Sequence, residues 1–314
     1  MKILCIGPIV TDIAIKSLDL EDFDKGRSTI DSFEVLGGGD CNNAAIDLAR
    51  LGDEVRPFGK VGDDFLGQRV IELFHENGVD TSYVQKVREP TTVSILILGQ
   101  NGDPTLSVIR HGANETMQPG DVTEEMIRWA DHVHMVSVLN LHAFDGEGTA
   151  RVFETAHALG KTTSMDLKAK ITPLENRMAL IEKTLYHCDV FLPSDYEVEY
   201  LCGITDPEKA AEYFRPYGIK IFGCKCGAKG VYLTDYRDAF MLPSLYNGTP
   251  VDVIGAGDAF SATFASAWKR GYDLRSCGLL ASSASALVLG EVGCTTGMKD
   301  FETVLNYAKT HGSF

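Results

Sequence analysis

Strand-like apolar runs alternate with helical stretches along nearly the whole chain, and this alternation limits the fold more than any other feature. Runs at 3–6, 133–138, 162–165, 190–192, 219–224 and 231–234 read as strands. Stretches at 43–51, 65–77, 147–159, 174–187 and 207–217 read as helices, with Gly52 and Gly78 as stops. Strands joined through helices lie parallel, so the pattern predicts an α/β fold with a mostly parallel central sheet and helices on both faces. Two stretches break the rhythm. Residues 12–35 carry short alternating runs, and 91–113 hold two apolar runs around a polar turn at 99–104, the pattern of a hairpin. We expect one domain over residues 1–314 with a small inserted β lid made of about 12–35 and 91–113. A surface flap without a gating role is the other reading of the same residues.

Charge removes several partners. Lys and Arg number 29 against 44 Asp and Glu, a formal net charge of −15. Such a chain is a poor ligand for nucleic acid or an anionic membrane, although a small nucleotide responds to its local site. The run Ile3-Leu4-Cys5-Ile6 ends at Gly7-Pro8 and reads as a buried strand, not a signal peptide. No apolar stretch approaches the roughly 18 residues of a membrane span, and a cytoplasmic location is expected. The eight cysteines form no CxxC pair. Cys224 and Cys226 share a strand face, where buried thiols are favoured over a metal site. His132 and His134 alternate on another, and packing is favoured there too, since no third ligand is in sight. No Gly-x-Gly-x-x-Gly follows the first strand, so a dinucleotide-dependent oxidoreductase ranks low.

The chemistry concentrates in Asp252-Val253-Ile254-Gly255-Ala256-Gly257-Asp258, which opens a helical pattern through Trp268. Small residues at Gly255, Ala256 and Gly257 let the backbone turn tightly and leave N–H groups exposed at a helix N-terminus. That end carries positive potential and suits a phosphate. Asp258 then sets a carboxylate beside the anion site. A fixed charge there opposes phosphate binding unless its task is to take a proton from an attacking hydroxyl, so the turn, helix start and acid read as phosphoryl transfer to an alcohol. An ordinary first-turn Asp favouring the helix dipole is the plainer alternative. A second cluster, Gly37-Gly38-Gly39-Asp40-Cys41-Asn42-Asn43, precedes another helical stripe, with Asn43 expected near the N-cap. A third is Gly59-Lys60-Val61-Gly62-Asp63-Asp64-Phe65-Leu66-Gly67.

These segments in this order resemble the ribokinase-like (phosphofructokinase-B type) carbohydrate kinases, from residue 3 to about residue 296. That family carries Gly-Gly-x-x-x-Asn, Gly-x-Val-Gly-x-Asp-x-x-Gly and a late Asp-Thr-x-Gly-Ala-Gly-Asp. The resemblance implies a ribokinase-like three-layer fold with Asp258 as catalytic base. It makes the N–H groups of Gly255, Ala256 and Gly257 an anion hole and gives Asp252 a role in ordering the loop or the water around magnesium. Asp12, Gly38, Gly39 and Asn43 match the sugar-contacting positions. On the nucleotide side, Ser194 stands where the family has Asn, Glu197 keeps the Glu that acts on Mg²⁺ through water, and Lys225 replaces a Thr before Gly227 and Gly230. Ser282 falls near the expected adenine position. In relatives the turn holding Gly293 helps hold a monovalent cation such as K⁺, but Glu291 and Cys294 depart from the usual Arg and Ala, and that ion stays open.

The acceptor end departs further. Asp166-Leu167-Lys168-Ala169-Lys170 stands near where many members read Asp-x-Asn-x-Arg, and no Glu of the ribose-specific kind is evident near Ser137–Asn140. Asp40 is similar to members acting on keto-deoxy acids, which need a cation for the carboxylate; Lys168, Lys170 and Arg110 are the substitutes available. Thr263 replaces a Gly usual in the catalytic helix. The expectation is an ATP- and Mg²⁺-dependent kinase for a primary hydroxyl of a monosaccharide or related polyol, forming a homodimer through its lid. A nucleoside kinase is the nearest rival, and a non-catalytic sugar sensor on a kinase scaffold is the rival from another class.

Overall fold

The computed structural model describes residues 1–16, 26, 29–30, 32–98, 104–168 and 176–312. Eight strands form one sheet in the order Glu54–Phe58, Lys2–Ile6, His132–Val138, Thr162–Leu167, Val190–Phe191, Ile221–Lys225, Val231–Thr234, Ala239–Leu242. The first six run parallel, and Val231–Thr234 alone is reversed, pairing antiparallel with Ile221–Lys225 on one side and with Ala239–Leu242 on the other. Helices cover both faces, so His132–Val138 is buried at every residue and inner strands read as continuous apolar runs. On one face Phe153, Phe191, Phe214 and Phe222 share a core beneath helices Glu147–Ala158 and Pro207–Phe214. Each fully buried Phe stabilises the fold by about 1.5–3 kcal/mol relative to exposure. On the other face helices Ala256–Lys269 and Leu274–Leu289 pack through Ala259, Phe264, Leu280 and Ala284. Helix Asp40–Arg50 lies beside Ala256–Lys269. No helix among the described residues is long and apolar enough to cross a membrane.

A second sheet has four strands in the order Ser32–Gly38, Val10–Lys16, Val93–Leu98, Pro104–Arg110. It brings the two segments that break the α/β rhythm into one layer. Thr11–Lys16 pairs parallel with Val93–Leu98, and the other two pairings are antiparallel. Residues 17–25, 27–28, 31 and 99–103, inside the expected lid segments, lie outside the described residues, as do 174–175 of the expected 174–187 helix. That helix spans Arg177–Leu185, and the 207–217 stretch is an α-helix over Pro207–Phe214 followed by a 3-10 turn. The strand expected at 219–224 is Ile221–Lys225. Strand Glu54–Phe58 was not among the expected ones; it holds Pro57, which an edge position tolerates.

Helices Asp40–Arg50 and Ala256–Lys269 are tied at their C-terminal ends. Asp53, whose side chain is fully buried, accepts from Arg270 Nη2 at 3.0 Å and from the N-terminal ammonium at 3.3 Å, and Ser266 Oγ donates to its other oxygen.

Candidate active site

A cavity of about 940 Å³ separates the two sheets, at the carboxyl ends of the parallel strands. Open α/β sheets bind ligands at this end. One wall is a single face of the smaller sheet, contributed by alternate residues such as Val10 and Asp12 or Thr92, Ser94 and Leu96.

The 252–258 loop forms the floor. Asp252 accepts from Ile254 N at 2.9 Å with one oxygen and from Gly293 N at 3.0 Å with the other, which ties the loop to the 293 turn. Asp252 does not reach the cavity wall itself. Gly255 is the N-cap of Ala256–Lys269 with φ of +85°, and a Cβ there would lie 2.7 Å from the carbonyl carbon and Cα of Cys294. Only glycine fits this turn. Gly255, Ala256 and Gly257 therefore line the cavity at the positive end of a 14-residue helix, where first-turn N–H groups have no partner within the helix.

Asp258 lies on that first turn, half-buried, and accepts a 2.8 Å hydrogen bond from Asn43 Nδ2. Asn43, expected near the N-cap, lies four residues beyond it. Helix Asp40–Arg50 starts three residues earlier with Gly39 as N-cap, and its second turn aims Asn43 at Asp258. Burial pushes the Asp258 carboxyl well above the usual range, helped by the nearby Asp40 and Asp166, while Lys168 and the Asn43 hydrogen bond oppose the shift. A raised carboxyl in a cleft is suited to proton abstraction.

Asp12 enters from the smaller sheet. A Cβ on Gly38 would run into its carboxylate, so glycine at 38 makes the space for Asp12 although Gly38 itself stands off the cavity wall. Burial and the charge of Asp40 raise Asp12 to about 7, with Lys168 opposing. Gly39 and Asn43 both reach the wall.

At the far end Lys225 pairs with Asp166, and its ammonium lies 3.7 Å from where a Cβ on Gly257 would stand. Burial opposes the Lys225 charge, but Asp166 and Glu197 outweigh it and hold the lysine above its usual range. A cation thus abuts the exposed amides of the loop. Ser194 caps helix Asp195–Cys202 through a capping box: its hydroxyl accepts from Glu197 N at 3.3 Å, and Glu197 Oε2 accepts from Ser194 N at 2.7 Å. Burial and Asp166 raise the Glu197 carboxyl. Gly227, Gly230 and Ser282 complete this end, and Ser285 Oγ donates to Ala256 O at 2.7 Å.

The residues the sequence undervalued are Asp40, Ser137 and Asp166. Their signal was position, since each lies where a strand or glycine turn ends at the cavity. Arg110 turns its guanidinium to Thr91 O at 2.6 Å and does not reach the cavity, and Lys170 lies outside the described residues. His132 bonds Thr162 and Ser164, and His134 bonds Ser164 at 2.7 Å; burial first, and then Lys225, holds His134 down at about 3. Both are neutral packing groups. Cys224 and Cys226 are free thiols, 3.9 Å apart and buried.

Over most of its length the chain is similar to known kinases. The chain is 28% identical to the ribokinase of Bacillus subtilis over 303 residues, which cover 95% of this chain and 96% of that one. It is 29% identical over 280 residues to a 2-dehydro-3-deoxygluconokinase of Thermoproteus tenax, covering 83% and 82%. A nucleoside kinase of Methanothermobacter thermautotrophicus is 25% identical over 300 residues, covering 95% and 92%. The Arabidopsis thaliana ribokinase solved with ribose and ATP superposes with a TM-score of 0.83 at 25% identity, covering 98% of each chain. An E. coli chain provisionally named ribokinase II, solved with ATP and Mg²⁺, shares the fold with a TM-score of 0.87 at 21% identity and 99% coverage of each. The model of the pfkB family carbohydrate kinases matches residues 1–300. The chain belongs to the pfkB family of carbohydrate kinases, phosphotransferases that act on an alcohol group.

Proposed function

We propose that this sugar or nucleoside kinase transfers the γ-phosphoryl group of MgATP to a primary hydroxyl of a monosaccharide or related polyol. The observation that carries the reading is the placement of Asp258. Its raised carboxylate stands at the first turn of the anion-binding helix, oriented by Asn43 and facing the wall that bears Asp12.

The acceptor lies against Asp12, Gly39 and Asn43, with hydroxyls donating to the Asp12 carboxylate. Asp258 accepts the proton of the attacking hydroxyl as its oxygen bonds to the γ-phosphorus and the bond from that phosphorus to the β–γ bridging oxygen breaks, with ADP as the leaving group. The N–H groups of Gly255, Ala256 and Gly257 donate to the phosphoryl oxygens as charge builds there, and one such donor contributes about 2.7–4 kcal/mol to the transition state. A positioned base adds roughly 10²–10⁴-fold. Lys225 offsets phosphate charge, and Ser194, Gly227, Gly230 and Ser282 line the nucleotide end.

The donor set fits Mg²⁺. No cluster of three or more His, Cys, Asp or Glu suited to a metal occurs among the described residues, whereas Mg²⁺ commonly binds through one or two carboxylates plus waters and substrate phosphates. Glu197, raised by burial and Asp166, is the carboxylate that would hold it, through water. The ion supplies charge neutralisation at the phosphates.

The smaller sheet acts as the lid of a single domain, and its closure excludes water and limits hydrolysis of ATP. Its exposed Phe33 and Val108, which lie off the cavity face, support a homodimer through the lid, and light scattering that reports a monomer would refute that assembly.

The test is acceptor-dependent ADP release from MgATP across aldoses, ketoses, polyols, sugar acids and nucleosides. Turnover of free sugars or polyols supports the reading. Turnover of nucleosides alone replaces it with the nucleoside kinase, and ligand binding without ADP release replaces it with a sensor.

A further inference from the structure

The cavity wall is crowded with carboxylates and short of free cations. Three basic side chains reach it among the described residues, and each already faces a carboxylate. His111 Nδ1 lies 2.9 Å from Glu115, Lys225 pairs with Asp166, and Lys168 Nζ lies 3.3 Å from Asp40 Oδ1. Asp12, Asp195, Glu197 and Asp258 add four wall carboxylates that have no basic partner among the described residues.

At the acceptor end the decisive group is Lys168. Its side chain is more than half exposed, and among the described residues Asp40 alone holds its ammonium. Asp40 is itself fixed: its second oxygen accepts from the Ser137 hydroxyl. The backbone is bent to allow this. Ser137 and Leu139 are both at positive φ, +55° and +77°, a conformation that is strained for an L-residue. Asp145 braces the bend by accepting from Leu139 N at 3.1 Å and Leu141 N at 2.7 Å. Lys168 N in turn donates to Val138 O at 3.0 Å, so both strand ends present their side chains to Asp40 together.

We propose that Asp40 sets acceptor specificity: by holding Lys168 it denies a cation to the acceptor, so the site takes uncharged polyhydroxy acceptors and rejects sugar acids and sugar phosphates of the same size. This rests on the kinase reading above. An uncharged sugar finds hydroxyl acceptors in Asp12 and Asp40 and the donor of Asn43. A carboxylate or phosphate in the same place meets Asp12, Asp40 and Asp258, while the nearby ammonium among the described residues, that of Lys168, is already engaged, and like charges without compensation discriminate strongly. The phosphates of the nucleotide escape this penalty because they meet the loop amides and Lys225 at the other end.

The experiment measures kcat/KM for matched acceptors, an aldose against its aldonate, a ketose against a keto-deoxy acid, and a sugar against its phosphate, in the wild type, Asp40→Asn, Lys168→Gln and the double variant. The wild type should favour the neutral member by roughly tenfold or more, and Asp40→Asn should raise the acid-to-neutral ratio on the order of tenfold, the worth of one charged hydrogen bond. Adding Lys168→Gln should remove that gain. Wild-type turnover of an acid equal to or above its neutral partner overturns the proposal, as does an Asp40→Asn ratio within about threefold of wild type. Lys168→Gln alone, on an exposed side chain, keeps the test open if Asp40→Asn fails to fold. It should leave the discrimination standing, and a collapse of acid turnover in it would show that Lys168 already serves anionic acceptors. Acceptor-independent silence with every compound contradicts the kinase reading itself, whereas efficient acid turnover contradicts this proposal alone.

Discussion

Replacing Gly255 with Ala tests whether the anion loop must hold its observed shape. The residue sits at φ of +85°, and its new methyl carbon would lie 2.7 Å from two backbone atoms of Cys294, with the Cys294 carbonyl oxygen nearer still. The left-handed backbone costs about 1–2 kcal/mol for an L-residue. The contact with Cys294 adds to this, because backbone atoms held by the 293 turn have no rotamer to escape into, and Gly293 N is already bonded to Asp252. The 252–257 loop must therefore shift, and its amides with it. Misplacing one donor costs about 2.7–4 kcal/mol, on the order of 10²–10³ in kcat. Steady-state rates at saturating acceptor, with melting temperatures alongside, make the measurement. Gly160→Ala is the control, since Gly160 has φ of +70° and nothing within 4 Å of the added carbon. That control should lose about 1 kcal/mol of stability and no activity. A Gly255→Ala enzyme within about threefold of wild-type kcat would refute the reasoning, because it would mean the amides at 255–257 do not carry transition-state charge.

Two further outcomes concern stability. Asp12 is raised to about 7 in the folded chain, from 3.8, so the native state keeps a proton that the unfolded chain has lost. Stability then falls as pH rises through that window, by up to about 1.4 kcal/mol per pH unit for this group, and Asp12→Asn should gain on the wild type progressively from pH ~4 to pH ~7 in urea titrations. A wild-type-to-variant difference that stays flat with pH would contradict this. Arg270→Ala leaves the fully buried Asp53 side chain with only the N-terminal ammonium as a cation. A loss of about 2–3 kcal/mol is expected by urea denaturation, short of the about 3–5 kcal/mol for a wholly orphaned partner; no measurable loss would show that the pair is not needed.

What the sequence made legible was local. The Gly255-Ala256-Gly257-Asp258 turn is written in consecutive residues, and so is the helix it opens, so its geometry followed from backbone rules. The βα alternation likewise announced a mostly parallel sheet. Contacts made by distant residues were not legible. Asn43 and Asp258 lie 215 positions apart, and a residue expected near an N-cap donates to the Asp258 carboxylate. Lys168 and Arg110 read equally well as cations for an acidic acceptor, yet one is captured by Asp40 and the other by Thr91 O. Nothing in the composition of Ser137-Val138-Leu139 announces positive φ, because tertiary bonds to Asp40 and Asp145 impose it. The short helix Asp195–Cys202 is a different case. Its periodicity is hidden by charge, and Ser194-x-x-Glu197, a capping box at its start, is read from the sequence only as part of the nucleotide side.

The most direct test of the account is Asp258→Asn, measured for MgATP affinity and for kcat with the best acceptor. The amide keeps the shape of the side chain and removes the base. The account predicts nucleotide affinity within about threefold of wild type and kcat lowered by roughly 10²–10⁴-fold. Turnover near the wild-type rate would contradict it, since the acceptor's proton would then be leaving by a route that does not pass through Asp258.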